Sequence, residues 1–481
     1  MDFKAAAEFV GAEWKASILT TMSKYIEIPN QSPLFDPEVL TNGYQDQAVE
    51  LLMNWVKSQN VPGLTMRLET EPKRTPVIFI EVTGTDNTTE TVLAYGHLDK
   101  QPPMKYDSSN PTVPLWEPHT PIIKDGKLYG RGGADDGYSI FSAITAIKAV
   151  KAQNLPHART VIIIEACEES GSMDLPFYIQ RLKADIGSPS LVVCLDSGCG
   201  NYDQLWLTAT LRGMLFGVLK VSVSSEGVHS GAGSGIIPST FRIARELLDR
   251  VEDSKTGKVL APALWADIPA EHRAYAEKTA AALGDSIVKD YPFLEGVQPM
   301  SNDLAECLLN KCWRPTVSYT GVDGVPGIAN AGNVLRPYTS LGLSFRLPPT
   351  VDAAAAYAEL KQILEANPPA GAHVTFTSNK YAAGWKAPEL KPWLSSAIDT
   401  ASNGAFGKPA LIWGEGGSIP FMGMLGDMFP EAQFVITGVL GPHSNAHGPN
   451  EFMHIGMFHG VTVSVASILA DHYKATVANK Q

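Results

Sequence analysis

The chain alternates between short apolar runs and longer amphipathic stretches. Four apolar runs have the length and content of strands buried on both faces. They cover residues 76–82, 92–95, 160–164 and 191–195. Helical spacing of apolar residues marks 3–22, 48–56 and 140–150. Because strands and helices alternate, we predict an α/β fold with a largely parallel sheet covered by helices.

A different order of elements begins near residue 208. The pattern predicts a strand, a helix, two strands, a helix and a strand, at 215–223, 239–252, 315–320, 341–347, 352–366 and 373–377. This order is typical of the ferredoxin-like split α+β motif. The first pattern then returns, with helices at 393–401 and 456–474 and a strand at 433–437. We therefore predict a discontinuous main domain, 1–207 and 385–481, interrupted by an inserted domain at 208–384.

The length of the chain agrees with two domains, and its composition argues against some classes of binding partner. The chain has 481 residues, and one hydrophobic core rarely serves so many. Its net charge of -12 argues against nucleic-acid and anionic-membrane partners. No stretch approaches the roughly 18 apolar residues of a membrane span. Five cysteines without a CxxC pair, and no signal-peptide pattern, lead us to expect a cytoplasmic protein.

Polar residues follow several of the predicted buried strands. His97 and Asp99 come after the 92–95 run, which we expect Gly96 to end. Asp135 and Asp136 precede the 140–150 helix, and we expect Asp136 to cap that helix or to serve the loop. Acidic side chains also follow the next two strands, namely Glu165, Glu168, Glu169 and Asp196. Sites in α/β sheets form at the carboxyl ends of strands, so we expect these residues to converge.

Five of the candidate residues have the chemistry of metal ligands. They are His97, Asp135, Glu169, Asp196 and His447. Imidazole and carboxylate groups suit zinc or manganese. Five ligands exceed what one tetrahedral zinc needs, whereas one carboxylate that bridges two metals would give each metal three protein ligands. Such a pair of metals is typical of sites that hydrolyse a bond with water.

Seven short motifs, in order along nearly the whole chain, resemble those of a known enzyme family. They are HLD (97–99), GRGGADDG (130–137), EACEESGS (165–172), LDSG (195–198), GVHSG (227–231), EGGSIP (415–420) and HGPNEF (447–452). Together they resemble the carnosinase-like branch of the aminoacylase/carboxypeptidase G-type dinuclear metallopeptidases. The resemblance implies that the inserted domain is a dimerisation, or lid, domain.

The resemblance also implies a role for each residue of the site. Asp135 would bridge two Zn²⁺ per subunit (Mn²⁺ or Co²⁺ being the alternatives), with a cis peptide bond to Asp136. His97 and Asp196 would complete one metal, and Glu169 and His447 the other. Asp99 would orient His97. Glu168 would be the general base that takes a proton from the metal-bridged water. His443 competes with His447, and the match of HGPNE to the family's His-x-x-Asn-Glu pattern favours His447.

Four further residues match substrate-binding positions of the family. His229 would reach the partner subunit's site in a homodimer and steady the developing oxyanion. Arg346 and Ser418 would hold a free carboxylate of the substrate, for which an arginine fork is well suited. Gly417 would allow the backbone to approach the substrate closely.

These inferences predict a metallo-dipeptidase. The reaction is hydrolysis of the amide bond of dipeptides or short peptides that carry a free C-terminal carboxylate. An N-acyl- or N-carbamoyl-amino-acid amidohydrolase with the same metal site is the alternative. A third reading, an inactive relative that only binds ligands, is disfavoured because Glu168 and all five ligands are present.

Overall fold

The computed structural model describes residues 1–104, 115–417 and 419–477. The chain divides into two compact units. The first comprises Met1–Ala209, Ala387–Trp413 and Met424–Gln481, and the second Thr210–Lys386 and Gly414–Gly423. The sequence prediction had assigned the short segment Gly414–Gly423 to the main domain. The roles of the two parts, catalysis and dimerisation, stay predictions.

The strands are two to ten residues long. They are Leu64–Glu69 (β1), Val77–Val82 (β2), Thr91–His97 (β3), Ile122–Lys124 (β4), Lys127–Tyr129 (β5), Arg159–Glu165 (β6), Pro189–Cys194 (β7), Trp206–Leu211 (β8), Gly213–Ser222 (β9), Val228–His229 (β10), Thr316–Asp323 (β11), Val334–Leu335 (β12), Tyr338–Leu347 (β13), His373–Ala382 (β14), Trp385–Lys386 (β15), Leu411–Glu415 (β16), Gln433–Ile436 (β17) and Phe452–His454 (β18).

The helices vary widely in length. They are Phe3–Glu13 (α1), Leu19–Glu27 (α2), Tyr44–Ser58 (α3), Ser139–Ala152 (α4), Leu175–Ile186 (α5), Ser230–Gly233 (α6), Thr240–Leu248 (α7), Ala270–Leu283 (α8), Ser286–Lys289 (α9), Leu304–Cys312 (α10), Ala353–Glu365 (α11), Pro392–Phe406 (α12), Pro420–Met428 (α13) and Ile455–Thr476 (α14). A π-helical turn, Trp14–Ile18, joins α1 to α2.

The first unit is built on a six-stranded sheet in the order β1-β2-β6-β3-β7-β17. The four strands β6, β3, β7 and β17 run parallel. At one edge β2 pairs antiparallel with β6, and β1 with β2. The α/β prediction is therefore confirmed, with a sheet that is parallel over four strands and antiparallel at one edge. The parallel strands end at the same edge of the sheet, which sets the position of the site.

Helix α14 lies in the core of the first unit. Its side chains are buried over most of its length, from Met457 to Tyr473. It packs against α1, α4 and α12. Helix α4 is itself buried on nearly all sides, and serine and threonine as well as apolar side chains lie in its buried part. These helices and the sheet form the rigid support of the site loops.

The second unit is built on a four-stranded antiparallel sheet in the order β11-β13-β9-β14. Helices α7 and α11 pack on it. The core between sheet and helices includes Leu219, Ile243, Phe345, Leu360 and Phe376. A smaller cluster joins α8 to α10 through Leu308, Leu309 and Trp313. Across the part of the chain that the structure describes, no helix combines the length and apolar character needed to cross a membrane.

Candidate metal centre

The site in the first unit is organised around His97, the last residue of β3. Its Nε2 atom lies 3.3 Å from Asp135 Oδ1 and 3.9 Å from Asp196 Oδ2. On the other side of the ring, Nδ1 lies 3.0 Å from the main-chain oxygen and 3.4 Å from Oδ1 of Asp99. A proton on Nδ1 can be donated to Asp99, which leaves the Nε2 lone pair directed at the carboxylates.

Gly96 does not end the strand, contrary to the sequence prediction. Strand β3 continues through Gly96 to His97. A Cβ atom at position 96 would lie 2.1 Å from Ser139 Oγ and 2.6 Å from Asp136 Oδ2. The glycine therefore allows the start of α4 to pack closely on β3. This contact brings the loop that carries Asp135 next to His97.

Asp135 and Asp136 point to different sides of their loop. The peptide bond between them is cis, as the resemblance implied. Asp135 Oδ2 lies 3.1 Å from His447 Nε2, so its two oxygens face two different imidazoles. Asp136 Oδ2 accepts the backbone N–H of His97 at 3.1 Å. Asp136 thus serves the loop rather than capping α4 with its side chain, since the residue at the cap position is Tyr138.

Glu168 and Glu169 begin a short 3₁₀ turn after β6. The Asp99 carboxylate accepts both of their backbone N–H groups, each at 3.1 Å. Glu169 Oε2 lies 3.1 Å from His447 Nε2 and accepts a 2.6 Å hydrogen bond from Gln101 Nε2. Asp99 therefore contacts both His97 and the turn that carries the two glutamates. Sequence reasoning did not identify Gln101, which lies in no motif.

Two overlapping groups of side chains have ligand atoms within 4.8 Å of one another. One contains His97, Asp135 and Glu169, and the other contains His97, Glu168 and Asp196. Glu168, which the sequence analysis assigned as a base, is thus a member of the second group, with its carboxylate close to His97 and Asp196. His447 joins the first group through its contacts with Asp135 and Glu169.

The loop that carries His447 is exposed. His447 has a left-handed backbone conformation with φ of +62°, and its side chain is 57% exposed. His443, the competing candidate, also lies in this loop and is exposed. Because Asp135 and Glu169 both contact His447, the geometry favours His447 as the ligand.

The electrostatics of the cluster fit a divalent cation. Burial raises the pKa of Asp196 to about 7 and raises those of Glu168 and Glu169, and neighbouring carboxylates add to each shift. Burial opposes protonation of His447, but its bonds to Asp135 and Glu169 raise its pKa to about 11.

The hydrogen bonds within the cluster agree with this reading. Among the described residues, Glu169 Oε1 is buried without a hydrogen-bond partner, and the cluster carboxylates form ion pairs with histidines only. Carboxylate and imidazole donors that lack a fixed positive charge fit zinc or manganese.

The predicted substrate-binding residues lie in the second unit. His229 is exposed at the end of β10, opposite Val334 of β12. Arg346 is half-buried on β13, opposite Thr316 of β11, and burial lowers its pKa. Ser418 lies outside the described residues.

Gly417 is exposed, and its neighbourhood contains an arginine that sequence reasoning missed. The backbone N–H of Arg212 donates to the Gly417 carbonyl at 3.0 Å. The Nε atom of Arg212 donates to the Gly416 carbonyl at 3.2 Å. Arg212 therefore holds the backbone of the Gly416–Gly417 pair by two hydrogen bonds.

Comparisons with known proteins agree with the motif resemblance. The model of "Peptidase family M20/M25/M40" matches residues 93–471. The chain is 30% identical to the Beta-Ala-His dipeptidase of Mus musculus over 344 aligned residues. The aligned region covers 68% of this chain and 64% of that protein. The chain thus spans slightly less than two thirds of that relative. It is also 25% identical to the cysteinylglycine-S-conjugate dipeptidase of Corynebacterium striatum over 394 residues, 80% of this chain and 81% of that one.

A solved structure shows the same fold over almost the entire chain. The dipeptidase Dug1p from Saccharomyces cerevisiae superposes with a TM-score of 0.75 and 22% identity, covering 99% of this chain and 100% of that chain. At that identity the likeness concerns the fold alone. The family model covers far more than half of the chain, and the resemblance inferred from the motifs is confirmed. The chain belongs to peptidase family M20/M25/M40.

Proposed function

We propose that the chain is a metal-dependent dipeptidase. It hydrolyses the amide bond of dipeptides or short peptides that carry a free C-terminal carboxylate. The observation that carries the proposal is the convergence of two imidazoles and four carboxylates in one largely buried cluster. Family membership, and relatives named as dipeptidases, support the reaction class.

We assign two divalent cations to this cluster, with Asp135 as the shared ligand. The assignment is supported by the way Asp135 faces His97 with Oδ1 and His447 with Oδ2. His97 and Asp196 would hold one metal together with Asp135, and Glu169 and His447 would hold the other. Zinc is the preferred metal, with manganese and cobalt as alternatives. When bound, such a pair supplies Lewis acidity, which polarises a carbonyl and makes water nucleophilic at neutral pH.

We assign the proton transfers to Glu168. Its carboxylate lies beside His97 and Asp196, where the attacking water would have to be held. A Glu168 oxygen takes one proton from that water as the water oxygen attacks the carbonyl carbon. The same oxygen then delivers the proton to the amide nitrogen as the C–N bond breaks, so an amine leaves and a carboxylic acid is formed.

The second unit supplies the substrate contacts in this proposal. Arg346 has no ion-pair partner among the described residues, so its charge is available to a substrate carboxylate. Ser418 and the Gly417 backbone are assigned to the same carboxylate from the family resemblance. Arg212 supports the Gly416–Gly417 backbone in position.

We further propose that the second unit is the lid and dimerisation domain, and that His229 acts across a homodimer. The order of the strands β11-β13-β9-β14, all antiparallel, supports a ferredoxin-like fold for this unit. The exposure of His229 supports a partner outside its own unit. In this position its imidazole stabilises the developing oxyanion.

A substrate panel tests the proposed function. Purified protein is treated with a chelator, dialysed, and assayed with dipeptides, N-acetyl-amino acids and N-carbamoyl-amino acids, with and without Zn²⁺, Mn²⁺ or Co²⁺. We expect hydrolysis of dipeptides only with added metal, and none of the same dipeptides when the C-terminus is amidated. Faster turnover of the acylated or carbamoylated compounds would replace the dipeptidase by the amidohydrolase. A folded protein with metal that hydrolyses no amide would overturn both.

A further inference from the structure

A buried ion pair connects the two loops that carry Asp135 and His447. Arg131 and Glu451 are 320 residues apart in the sequence, and their side chains are 3% and 1% exposed. Arg131 Nη1 donates to Glu451 Oε2 at 2.6 Å. Arg131 lies four residues before Asp135, and Glu451 lies four residues after His447. The pair therefore fixes each ligand-bearing loop to the other.

The Glu451 carboxylate accepts hydrogen bonds along the Asp135 loop. Besides the Arg131 side chain, Oε2 accepts the backbone N–H of Gly132 at 3.1 Å. Oε1 accepts the backbone N–H groups of Ala134 at 3.1 Å and of Asp135 itself at 3.2 Å. Four donors from five consecutive residues thus converge on one carboxylate. This arrangement fixes the course of the backbone into Asp135.

Arg131 makes the complementary contact with the His447 loop. Its Nη2 donates to the carbonyl of Gly448 at 2.6 Å. Gly448 follows His447 directly, so the guanidinium holds the loop beside the histidine while Glu451 holds its far end. Both hydrogen bonds come from one planar fork, a geometry that lysine cannot reproduce.

The His447 loop is irregular and partly exposed, and besides Arg131 and Glu451 it is held by hydrogen bonds from Trp116 N–H to Asn450 Oδ1 and from Tyr202 O–H to the Pro442 carbonyl. His447 is more than half exposed, and His443, Asn445 and Asn450 share its left-handed backbone conformation. Exposed irregular loops have low local stability unless their backbone is tied to the core. The contacts with Arg131 and Glu451 are such ties, because both of these side chains are buried.

We propose that Arg131 and Glu451 are a positioning pair for the metal centre, which sets the separation of Asp135 and His447. This inference rests on the metal site of the proposed function. Neither residue is a ligand, and the effect of each is exerted through the two ligands. Substitution of groups that orient metal ligands typically weakens metal binding by about 10–100-fold.

The test is the metal affinity of the apo protein, measured by titration calorimetry with Mn²⁺ and by competition with a chromogenic chelator for Zn²⁺. We expect E451Q to bind more weakly by about 10–100-fold while its far-UV circular dichroism stays that of the wild type. At saturating Mn²⁺ we expect much of its turnover to return. A purely structural role would lower thermal stability without this dependence on metal concentration.

E81Q is the matched control. It removes the carboxylate of another ion pair of the first unit, in which Arg159 Nη2 donates to Glu81 Oε2 at 2.7 Å. We expect this variant to bind metal as the wild type does. An equal loss of affinity in E81Q and E451Q would overturn the proposal, because it would show a general effect of lost ion pairs.

R131K is the second variant, and it keeps the positive charge. One ammonium group cannot hold both Glu451 and Gly448 in the way that the guanidinium does, so we expect weaker metal binding here too. Wild-type affinity in both variants would overturn the proposal, and so would a failure of both to fold, which would make the pair a folding determinant. A wild-type protein that binds no metal would instead refute the proposed function.

Discussion

Two adjacent glutamates, Glu168 and Glu169, make different side-chain contacts although they are identical residues. The backbone N–H groups of Glu168 and Glu169 bind the same carboxylate, that of Asp99. Their side chains nevertheless separate, since Glu169 contacts His447 and Gln101 while Glu168 lies beside His97 and Asp196. Of these two neighbouring residues, Glu169 is thus a proposed metal ligand and Glu168 a proposed base.

Replacing Glu168 by Gln tests this division. The amide keeps the size of the side chain but cannot accept the proton, so we expect kcat to fall by about 10²–10⁴-fold. Metal content, measured by atomic emission, should stay that of the wild type. E431Q, which changes an exposed glutamate of the first unit, is the control and should keep full turnover. Loss of metal from E168Q would make Glu168 a ligand instead.

The burial of His272, in the second unit, leads us to predict that the folding stability of the protein depends on pH. Its ring is 5% exposed and packs on Trp313, with ring centroids 4.9 Å apart. Burial, and then the charge of Lys386, lower its pKa to about 4. The Glu271 carboxylate lies 3.5 Å from Nε2, but it is 40% exposed, so water weakens its attraction and burial prevails.

The sign of the effect follows from proton linkage. Between about pH 6.5 and pH 4 the unfolded chain binds a proton at His272 that the folded chain does not, so the stabilisation is lost as the pH falls. When the pH is lowered from 7.5 to 5, we expect the melting temperature of H272Q to fall less than that of the wild type. H373Q, at an exposed position, should follow the wild type. Parallel curves for H272Q and the wild type would contradict this account.

At the level of elements, the site depends on how closely α4 approaches β3. Gly96 makes this approach possible, because a Cβ atom there would lie 2.5 Å from Ser139 Cβ as well as 2.1 Å from Ser139 Oγ. We expect G96A to lower the free energy of unfolding by about 1–3 kcal/mol, as overpacking does. Urea denaturation followed by fluorescence measures it.

G11A is the matched control for this substitution. Gly11 lies within α1, and no atom is found within 4 Å of where its Cβ would be. Alanine is the better helix former, by about 0.5–1 kcal/mol, so this variant should be as stable as the wild type or slightly more stable. Equal behaviour of the two alanine variants would show that the space at Gly96 is not limiting.

The central strands that the sequence predicted are buried, whereas several of the strands that it missed are exposed or very short. The central strands β3, β6 and β7 are continuous apolar runs, because both of their faces are buried. Strand β1 is largely exposed and at the sheet edge, and β4 and β5 have three residues each, so none of them leaves a clear pattern. Gly96 was misread because a glycine needed for packing resembles one that ends a strand.

The candidate site was predictable where strand ends and short motifs carry the proposed ligands. His97, Asp135, Glu169, Asp196 and His447 do converge. The supporting contacts were not predictable, because Arg131 and Glu451 both lie in quoted motifs but nothing in either motif shows that the two side chains meet across 320 residues. Contacts of this kind depend on the tertiary fold and leave no periodicity in the sequence.

At the scale of the whole molecule, the proposed homodimer predicts complementation. H229A and E168Q are each expected to be nearly inactive. In a mixed dimer one site would combine the intact metal cluster of one chain with His229 of the other. Random exchange should therefore restore about a quarter of wild-type turnover, because half of the dimers are mixed and each has one intact site. Proven subunit exchange without recovered activity would place His229 outside a shared site.

Helix α14 has a consequence for synthesis of the protein. It follows α1, α4 and α12 in the chain, yet all three pack against it. While the ribosome is still translating the residues before Ile455, these helices have already emerged with the surfaces that α14 will cover open to water. The first unit can therefore complete its core only after translation has passed Thr476. Until then the nascent chain exposes apolar surface to which chaperones bind.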